Sequence, residues 1–333
     1  MGKFLEMERV RQMAFKADSP TVSEEARSDG IYRGRARPFC LPRDYALENL
    51  YPGIRASALP YFARHGIKWH DGRDGNPSNH LCDSQVCCVN FLFHFADQPR
   101  ALGELLRPIY PALRKMLPIE DGGYVAHEWI GEHNYLGEIS RNGLRTRGAN
   151  YTSADAAVMF ERTDGLRQIV LIEWKYTESY GSTWLKIARS GTDRTTIYRP
   201  LYERDDCPID KQRLPDFDAL FFEPFYQLLR QQLLAHEMER AHELGADRVS
   251  LLHIAPDQNR DFRRVTSPQL AALGDTPTSI WSTLVRSQDR FLSVSAERLF
   301  GRLSSEQMPE MQEWLAYIHR RYAWVRQPVG AAL

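Results

Sequence analysis

The stretch ADAAVMFERTDGLRQIVLIEWKYT, residues 154–177, decides the fold, because it reads as two strands joined by a tight turn. Residues 154–161 and 168–177 are rich in apolar and β-branched side chains, which are typical of buried strands. Between them, Thr163-Asp164-Gly165 carries the composition of a hairpin turn. We therefore predict an antiparallel β-hairpin with much of both strands buried.

Charged side chains lie at the end of the second strand of this hairpin. Alternate residues of a strand share a face, so Glu173 and Lys175 point the same way. Their burial is costly unless the charges are paired or bind a cation. A two-residue turn would put Asp155 opposite Trp174, on the other face of the hairpin. A three-residue loop with Gly165 in the left-handed conformation puts Asp155 on the same face as Glu173 and Lys175.

Further helices and strands surround the hairpin and predict an α/β (or α+β) fold. Residues 217–244 form the longest helical pattern, ended by Gly245, and residues 248–255 (RVSLLHIA) form a buried strand. The other predicted core elements are helices over residues 84–96 and 99–117 and short strands over 124–130 and 134–139.

The chain divides into a core and two extensions of the same domain. We expect an N-terminal helix and irregular arm over residues 1–83, a core over 84–255 and a helical C-terminal extension over 256–333. The 333 residues balance 43 basic against 43 acidic side chains and are 43% hydrophobic. This composition excludes a disordered chain and a protein that coats nucleic acid by charge alone. Without a signal peptide or membrane span, a cytoplasmic location is expected.

The five cysteines do not suggest a disulfide framework, because their number is odd and no secretory signal precedes them. His80 with Cys82, Cys87 and Cys88 admits a zinc site as an alternative. The sequence has no CxxC pair, however, and an apolar run follows the adjacent cysteines. Buried core cysteines are therefore expected.

The order Asp155, Glu173 and Lys175 on a hairpin, followed by a long helix and an apolar strand, resembles the PD-(D/E)xK nuclease superfamily. More narrowly, the runs TSADAAV, IEWKYTESY and LLRQQLLA look like those of a bacterial group of restriction endonucleases. The resemblance implies a restriction-endonuclease-like αβββαβ core with a central mixed sheet flanked by helices. Ala154 stands where the superfamily motif has proline, which changes no ligand.

The resemblance also implies a Mg²⁺-dependent DNA endonuclease of restriction or phage-defence type, in which Mn²⁺ can substitute. Asp155, Glu173 and Lys175 would be catalytic, and the metal would be held by Asp155, Glu173 and the backbone carbonyl of Trp174. Carboxylates suit Mg²⁺, and Lys175 could orient the attacking water or neutralise developing negative charge. The competing interpretation is a salt bridge between Glu173 and Lys175 at the protein surface.

Several supporting residues remain open. Glu128 or Glu138 could supply a third acid, and Gln231 or Gln232 on the long helix could face the site. Basic side chains with interleaved aromatic residues could contact nucleic acid. These are Arg141, Arg145 and Arg147 before the hairpin and Arg189, Arg194 and Arg199 after it.

A second group of arginines lies in the N-terminal arm and is either solvated or a contact for an anionic partner. It comprises Arg27, Arg33, Arg35, Arg37 and Arg43. DNA is the expected partner of the protein, and a homodimer would suit paired cuts in a duplex. The alternatives are a non-cleaving nucleic-acid-binding or scaffold protein, and a cleaving subunit that needs a partner for DNA recognition.

Overall fold

The computed structural model describes residues 2–140, 143–149, 151–306 and 308–326. A six-stranded mixed sheet flanked by helices forms its centre, which confirms the predicted fold class. The strands are β1 (Gly30–Tyr32), β2 (Arg35–Arg37), β3 (Leu113–Leu117), β4 (Ala126–Trp129), β5 (Ala154–Arg162), β6 (Arg167–Trp174), β7 (Arg248–Ala255) and β8 (Phe291–Ser295). The helices are α1 (Lys3–Asp18), α2 (Pro52–Arg64), α3 (Ser84–Leu92), α4 (Pro99–Leu106), α5 (Thr195–Glu203), α6 (Phe225–Arg240), α7 (Pro277–Leu284), α8 (Ala296–Phe300) and α9 (Gln312–Arg321).

The sheet runs in the order β3-β5-β6-β7-β8, and β4 also pairs with β5. Strands β3, β4 and β6 are antiparallel to β5, whereas β7 pairs parallel to both β6 and β8. Helix α6 makes the crossover from β6 to β7 and packs on one face of the sheet. Helices α3 and α9 contribute to the apolar core on the other face.

The β5–β6 hairpin closes with a three-residue loop, residues 163–165. The amide of Arg162 donates to the carbonyl of Leu166 over 2.8 Å, and Gly165 has a φ of +84°. Ala156 consequently pairs with Ile172, and the same register places Asp155 opposite Glu173. The chain therefore forms the three-residue loop, which places Asp155 on the same face as Glu173 and Lys175.

Outside the hairpin, several predicted boundaries are wrong. The helix expected over residues 99–117 ends at Leu106, and its last part is strand β3. Helix α6 begins only at Phe225, after Pro224, and residues 134–139 form no strand. The extensions are less irregular and less purely helical than expected, because they contain α2, the β1–β2 hairpin and strand β8.

The N-terminal arm is joined to the core by a buried arginine of α9. The Arg321 guanidinium donates to the carbonyls of Asn49 over 2.5 Å and Leu81 over 3.1 Å, and to the side chain of Gln12 over 3.1 Å. A buried cation is tolerated where such acceptors satisfy its donors. Helix α9 therefore connects helix α1, the N-terminal arm and the start of the core.

All five cysteines are free and buried, as expected of core side chains. Among the described residues, no group of three or more histidine, cysteine or acidic side chains is spaced to hold a metal ion. The zinc site considered at His80 and its neighbouring cysteines is thus not formed. In the same part of the chain, no helix is long and apolar enough to cross a bilayer.

Candidate active site

Three charged side chains meet where the ends of β5 and β6 lie beneath helix α6. Asp155 extends from β5, and Glu173 and Lys175 lie at the end of β6 on the same face. The Asp155 carboxylate accepts a hydrogen bond from the backbone amide of Trp174 over 2.7 Å. Glu173 is 1% exposed and Lys175 is 5% exposed, so their interaction is not a salt bridge at the protein surface.

Lys175 is held by two partners. Its ammonium group forms an ion pair with Glu173 and donates to the side-chain carbonyl of Gln227 over 2.7 Å. Burial alone would lower the pKa of Lys175, but the carboxylates around it, with Glu173 foremost, raise it above its usual range. The surroundings of Lys175 therefore favour its protonated form.

Helix α6 supplies amide side chains to the site at a spacing of one helical turn. Gln231 donates to the Glu173 carboxylate and to the backbone carbonyl of Ser153, the latter over 3.0 Å. Gln227, four residues earlier, lies on the same side of the helix and binds Lys175. Gln232 instead points its amide toward the carbonyl of Arg290 at 3.5 Å, away from the site. Of the two predicted accessory glutamines, only Gln231 reaches the carboxylates.

Of the two candidates for a third acid, Glu128 lies at the site. It follows His127 in β4, whose register places it beside Asp155, and its left-handed φ of +50° is unusual for a residue with a side chain. Its carboxylate accepts hydrogen bonds from Gln85 over 2.6 Å and from Ser153 over 2.9 Å. The site therefore contains a third carboxylate with neutral hydrogen-bond partners.

Glu138 belongs to a separate hydrogen-bond network. Its carboxylate accepts from the amide of Thr152 over 2.7 Å and from the hydroxyl of Tyr198 over 2.7 Å. These contacts satisfy Glu138 within the loop that precedes β5. Glu138 therefore stabilises this loop and is not part of the candidate site.

The site contains more acidic than basic side chains. Burial, followed by the charge of Glu173, raises the pKa of Asp155 well above its usual range, and Lys175 opposes the shift. Burial also raises the pKa of Glu128, to which the charge of Glu173 adds. Three carboxylates face one lysine, so a divalent cation would restore the charge balance. Because no three acidic side chains have ligand spacing in the described residues, such an ion would also need backbone and water ligands, as Mg²⁺ commonly does.

The structure adds two charged residues that were not singled out from the sequence. Glu223 lies just before α6, and its pKa is raised by burial and lowered by the charges of Arg230 and Lys175. The Arg230 guanidinium lies 4.8 Å from the centre of the Tyr226 ring, and its buried Nε has no hydrogen-bond partner among the described residues. The sequence did contain a signal for Arg230. It follows Gln227 by three residues and Gln231 follows Gln227 by four, a spacing that places all three on one side of a helix.

Most of the arginines predicted to bind nucleic acid are engaged within the protein. Arg145 donates to four backbone carbonyls of residues 130–133 at 2.8 to 3.0 Å, and Arg147 pairs with Glu120 at 2.7 Å. Arg199 pairs with Asp218 at 3.3 Å. These three arginines therefore have partners within the protein, and their role in binding nucleic acid stays a prediction.

Arg194 and Arg189 form no ion pair with a described residue. Arg194 donates to the carbonyl of Leu185 over 2.5 Å and lies over the Tyr226 ring at 5.2 Å. Arg189 is exposed. Arg141 falls outside the described residues.

A sequence model of the family described as Restriction Endonuclease associating with ARP matches residues 9–323. Searches among curated proteins and among solved structures gave no significant match. The family match covers the candidate site, the N-terminal arm and most of the C-terminal extension.

Proposed function

The chain belongs to the family of restriction endonucleases associating with ARP, and on this basis we propose that it is a metal-dependent nuclease that cleaves DNA. The observation that carries the proposal is the convergence of Asp155, Glu173 and Lys175 on one buried face beneath α6. Two acids and a lysine are the groups that phosphodiester hydrolysis needs, because the phosphate is anionic and gains charge as water attacks. A buried ion pair adds little to stability, because the cost of removing both charges from water offsets their attraction. Stability alone is therefore a poor explanation for these buried charges.

Asp155, Glu173 and the backbone carbonyl of Trp174 would hold Mg²⁺ or Mn²⁺, and Glu128 is the candidate for a further ligand. When bound, the ion would polarise a phosphoryl oxygen and lower the pKa of a water molecule. Gln231 orients the Glu173 carboxylate, a role that partners of metal ligands commonly have. Lys175, held by Gln227, would donate to the phosphate and stabilise the charge that develops there.

A second candidate is a cleaving subunit that depends on a partner protein. The family description names an association with ARP, which favours this candidate for the present chain. The partner would supply or complete DNA recognition, while the residues described above would perform the cleavage.

The direct test incubates the purified full chain with linear, supercoiled and single-stranded DNA and with RNA, each with Mg²⁺, Mn²⁺ or EDTA. We expect DNA cleavage with either ion and none with EDTA. The matched variants are Asp155→Asn, which removes one carboxylate charge, and Asp216→Asn, which makes the same change at the exposed cap of a 3₁₀ helix.

Cleavage that survives Asp155→Asn would show that another site, or a contaminant, performs the reaction. Binding of DNA without cleavage under every condition would favour a binding or scaffold protein. Cleavage that begins only when the partner protein is added would favour the second candidate.

A further inference from the structure

The β1–β2 hairpin of the N-terminal arm has an open, exposed tip. Arg33 and Gly34 form its two-residue turn and have φ values of +49° and +75°, the pattern of a type I′ turn. A Cβ added at Gly34 would meet no atom within 4 Å. The tip therefore has room to approach another molecule closely.

The base of this hairpin is held firmly against the protein. The hydroxyl of Tyr32 donates to Asp71 over 2.5 Å, and the Tyr32 ring packs 4.8 Å from the His80 ring. The side-chain amide of Asn79 donates to the carbonyls of Ile31 over 3.2 Å and Leu41 over 2.6 Å. A hairpin anchored in this way loses little conformational entropy when its tip binds a partner.

The hairpin presents arginines that the protein itself leaves largely unused. Arg35 is exposed and Arg37 is half-buried, and neither side chain forms an ion pair or hydrogen bond with a described residue. Arg33 lies 3.7 Å from Asp71, but its side chain is 76% exposed, so this pair is weak. In this respect the hairpin differs from the loop arginines Arg145 and Arg147, whose donors are already occupied.

A short series of contacts connects the hairpin with the candidate active site. Gln85 donates to Glu128 over 2.6 Å and accepts from the backbone amide of His70 over 2.7 Å. The next residue, Asp71, is the one that accepts from Tyr32. The base of the hairpin is therefore linked to Glu128 through Asp71, His70 and Gln85.

We propose that the β1–β2 hairpin inserts into the major groove of duplex DNA whose backbone lies at Asp155 and Glu173. The groove is about 12 Å wide and admits a two-stranded β-ribbon, and arginine pairs with the edge of guanine there. The anchored base, the open tip and the arginines without internal partners are the features that such insertion requires. The inference rests on the proposed function and gives its substrate class as duplex DNA.

The test compares the full-length triple variant Arg33→Ala, Arg35→Ala, Arg37→Ala with a matched control. The control, Arg298→Ala, Arg302→Ala, Arg320→Ala, removes the same charge from exposed positions in the C-terminal extension. Binding is measured in EDTA with a guanine-containing DNA duplex and an RNA duplex of the same sequence. The RNA is informative because its major groove is too deep and narrow for side chains to read.

We expect wild type and control to prefer the DNA duplex, and the hairpin variant to lose at least about tenfold of its DNA affinity. Its salt dependence should also become flatter, by up to about 2.7 in the slope for three lost contacts. Melting temperatures and the single charge reversal Arg35→Glu show whether the loss comes from the surface or from misfolding.

An affinity loss no greater than that of the control would overturn the inference, as would an equal loss on the RNA duplex, which indicates backbone charge alone. If the hairpin variant binds like the control while cleavage still depends on Asp155, only this inference fails. If the wild type neither binds nor cuts duplex DNA, the proposed function fails with it.

Discussion

The two faces of the β5–β6 hairpin bury opposite kinds of side chain. Toward α6, Glu173 and Lys175 bring buried charge into the protein. On the other face, Trp174 lies between them in sequence and packs against the rings of Phe91 at 4.8 Å and Phe300 at 6.0 Å. Charged groups and apolar packing therefore come from alternate residues of one strand, because successive side chains point to opposite faces.

Because of this division, apolar packing on one face of the hairpin offsets the free-energy cost of burying charge on the other face. Burial, followed by the nearby charge of Glu173, disfavours the charged form of Asp155, as its raised pKa indicates. The aromatic packing around Trp174 stabilises the same strand from beneath. If the comparison is right, substitutions on the two faces should separate activity from stability.

The largest effect is expected for cleavage on the charged face. Asp155→Asn should reduce cleavage below detection, and Lys175→Met should lower it by about 10²- to 10³-fold, through loss of charge stabilisation. Asp155→Asn should not lower the melting temperature, since it removes a charge that burial penalises. Lys175→Met should lower it, because the buried Glu173 carboxylate loses its ion-pair partner. Cleavage rates and melting curves are compared with those of Ile172→Val on the apolar face, which should cleave normally. A large fall in stability for Asp155→Asn would contradict the division.

Next in size is the effect of Trp174→Ala on stability. Removing this fully buried side chain should destabilise the protein by about 3–5 kcal/mol, because the cavity loses contacts with Phe91 and Phe300. Urea unfolding measures the loss. Protein that remains folded at low temperature should retain metal-dependent cleavage, whereas abolished cleavage in fully folded variant would show that the faces are coupled.

A smaller effect separates two neighbouring glutamines on α6. Gln231→Ala removes the donor to Glu173 and should reduce metal affinity or cleavage by about 10- to 100-fold. Gln232→Ala is the control, because its amide points toward Arg290 instead. Measuring cleavage rate as a function of Mg²⁺ concentration should show the difference. If the two variants cleave at equal rates at every Mg²⁺ concentration, Gln231 has no role at the site.

Per pH unit, the smallest expected effect is on the pH dependence of stability, through a histidine on the apolar face. Burial, with the charge of Arg147, lowers the pKa of His127 to about 3. The unfolded chain takes up a proton at this histidine near pH 6.5, and the folded chain does not. Stability should therefore fall as pH drops from about 6.5 toward 3, by up to about 1.4 kcal/mol per pH unit. His127→Phe should reduce this slope in urea unfolding at several pH values; an unchanged slope would show that His127 contributes nothing to it.

The residues of the charged face were predictable because their signals are local. The alternation of β6 gives the shared face of Glu173 and Lys175, and Gly165 permits the loop that adds Asp155. The choice between Glu128 and Glu138 was not predictable, since it depends on which strand pairs with β5. Gln231 and Gln232 likewise differ only in which side of α6 meets the sheet.

The remaining errors arose where distant contacts decide. Arg145 and Arg147 appear in the sequence as free cations, but loop closure brings carbonyls and Glu120 to them. Strand β8 forms by parallel pairing with β7, and no local sequence pattern predicts this pairing. The arm over residues 1–83 was expected to be irregular, but Pro52 begins helix α2 within it, at a position where proline is well tolerated.

The buried Arg321 also sets an order in time. Its bond to the carbonyl of Asn49 joins residues that are 272 positions apart in the chain. At about 5–20 residues per second, synthesis of that interval takes roughly 14–54 s. Throughout this period the arm has been made but lacks one of its internal supports. A newborn chain therefore acquires its finished arm, with the hairpin that this arm carries, only after Asp155, Glu173 and Lys175 have already left the ribosome.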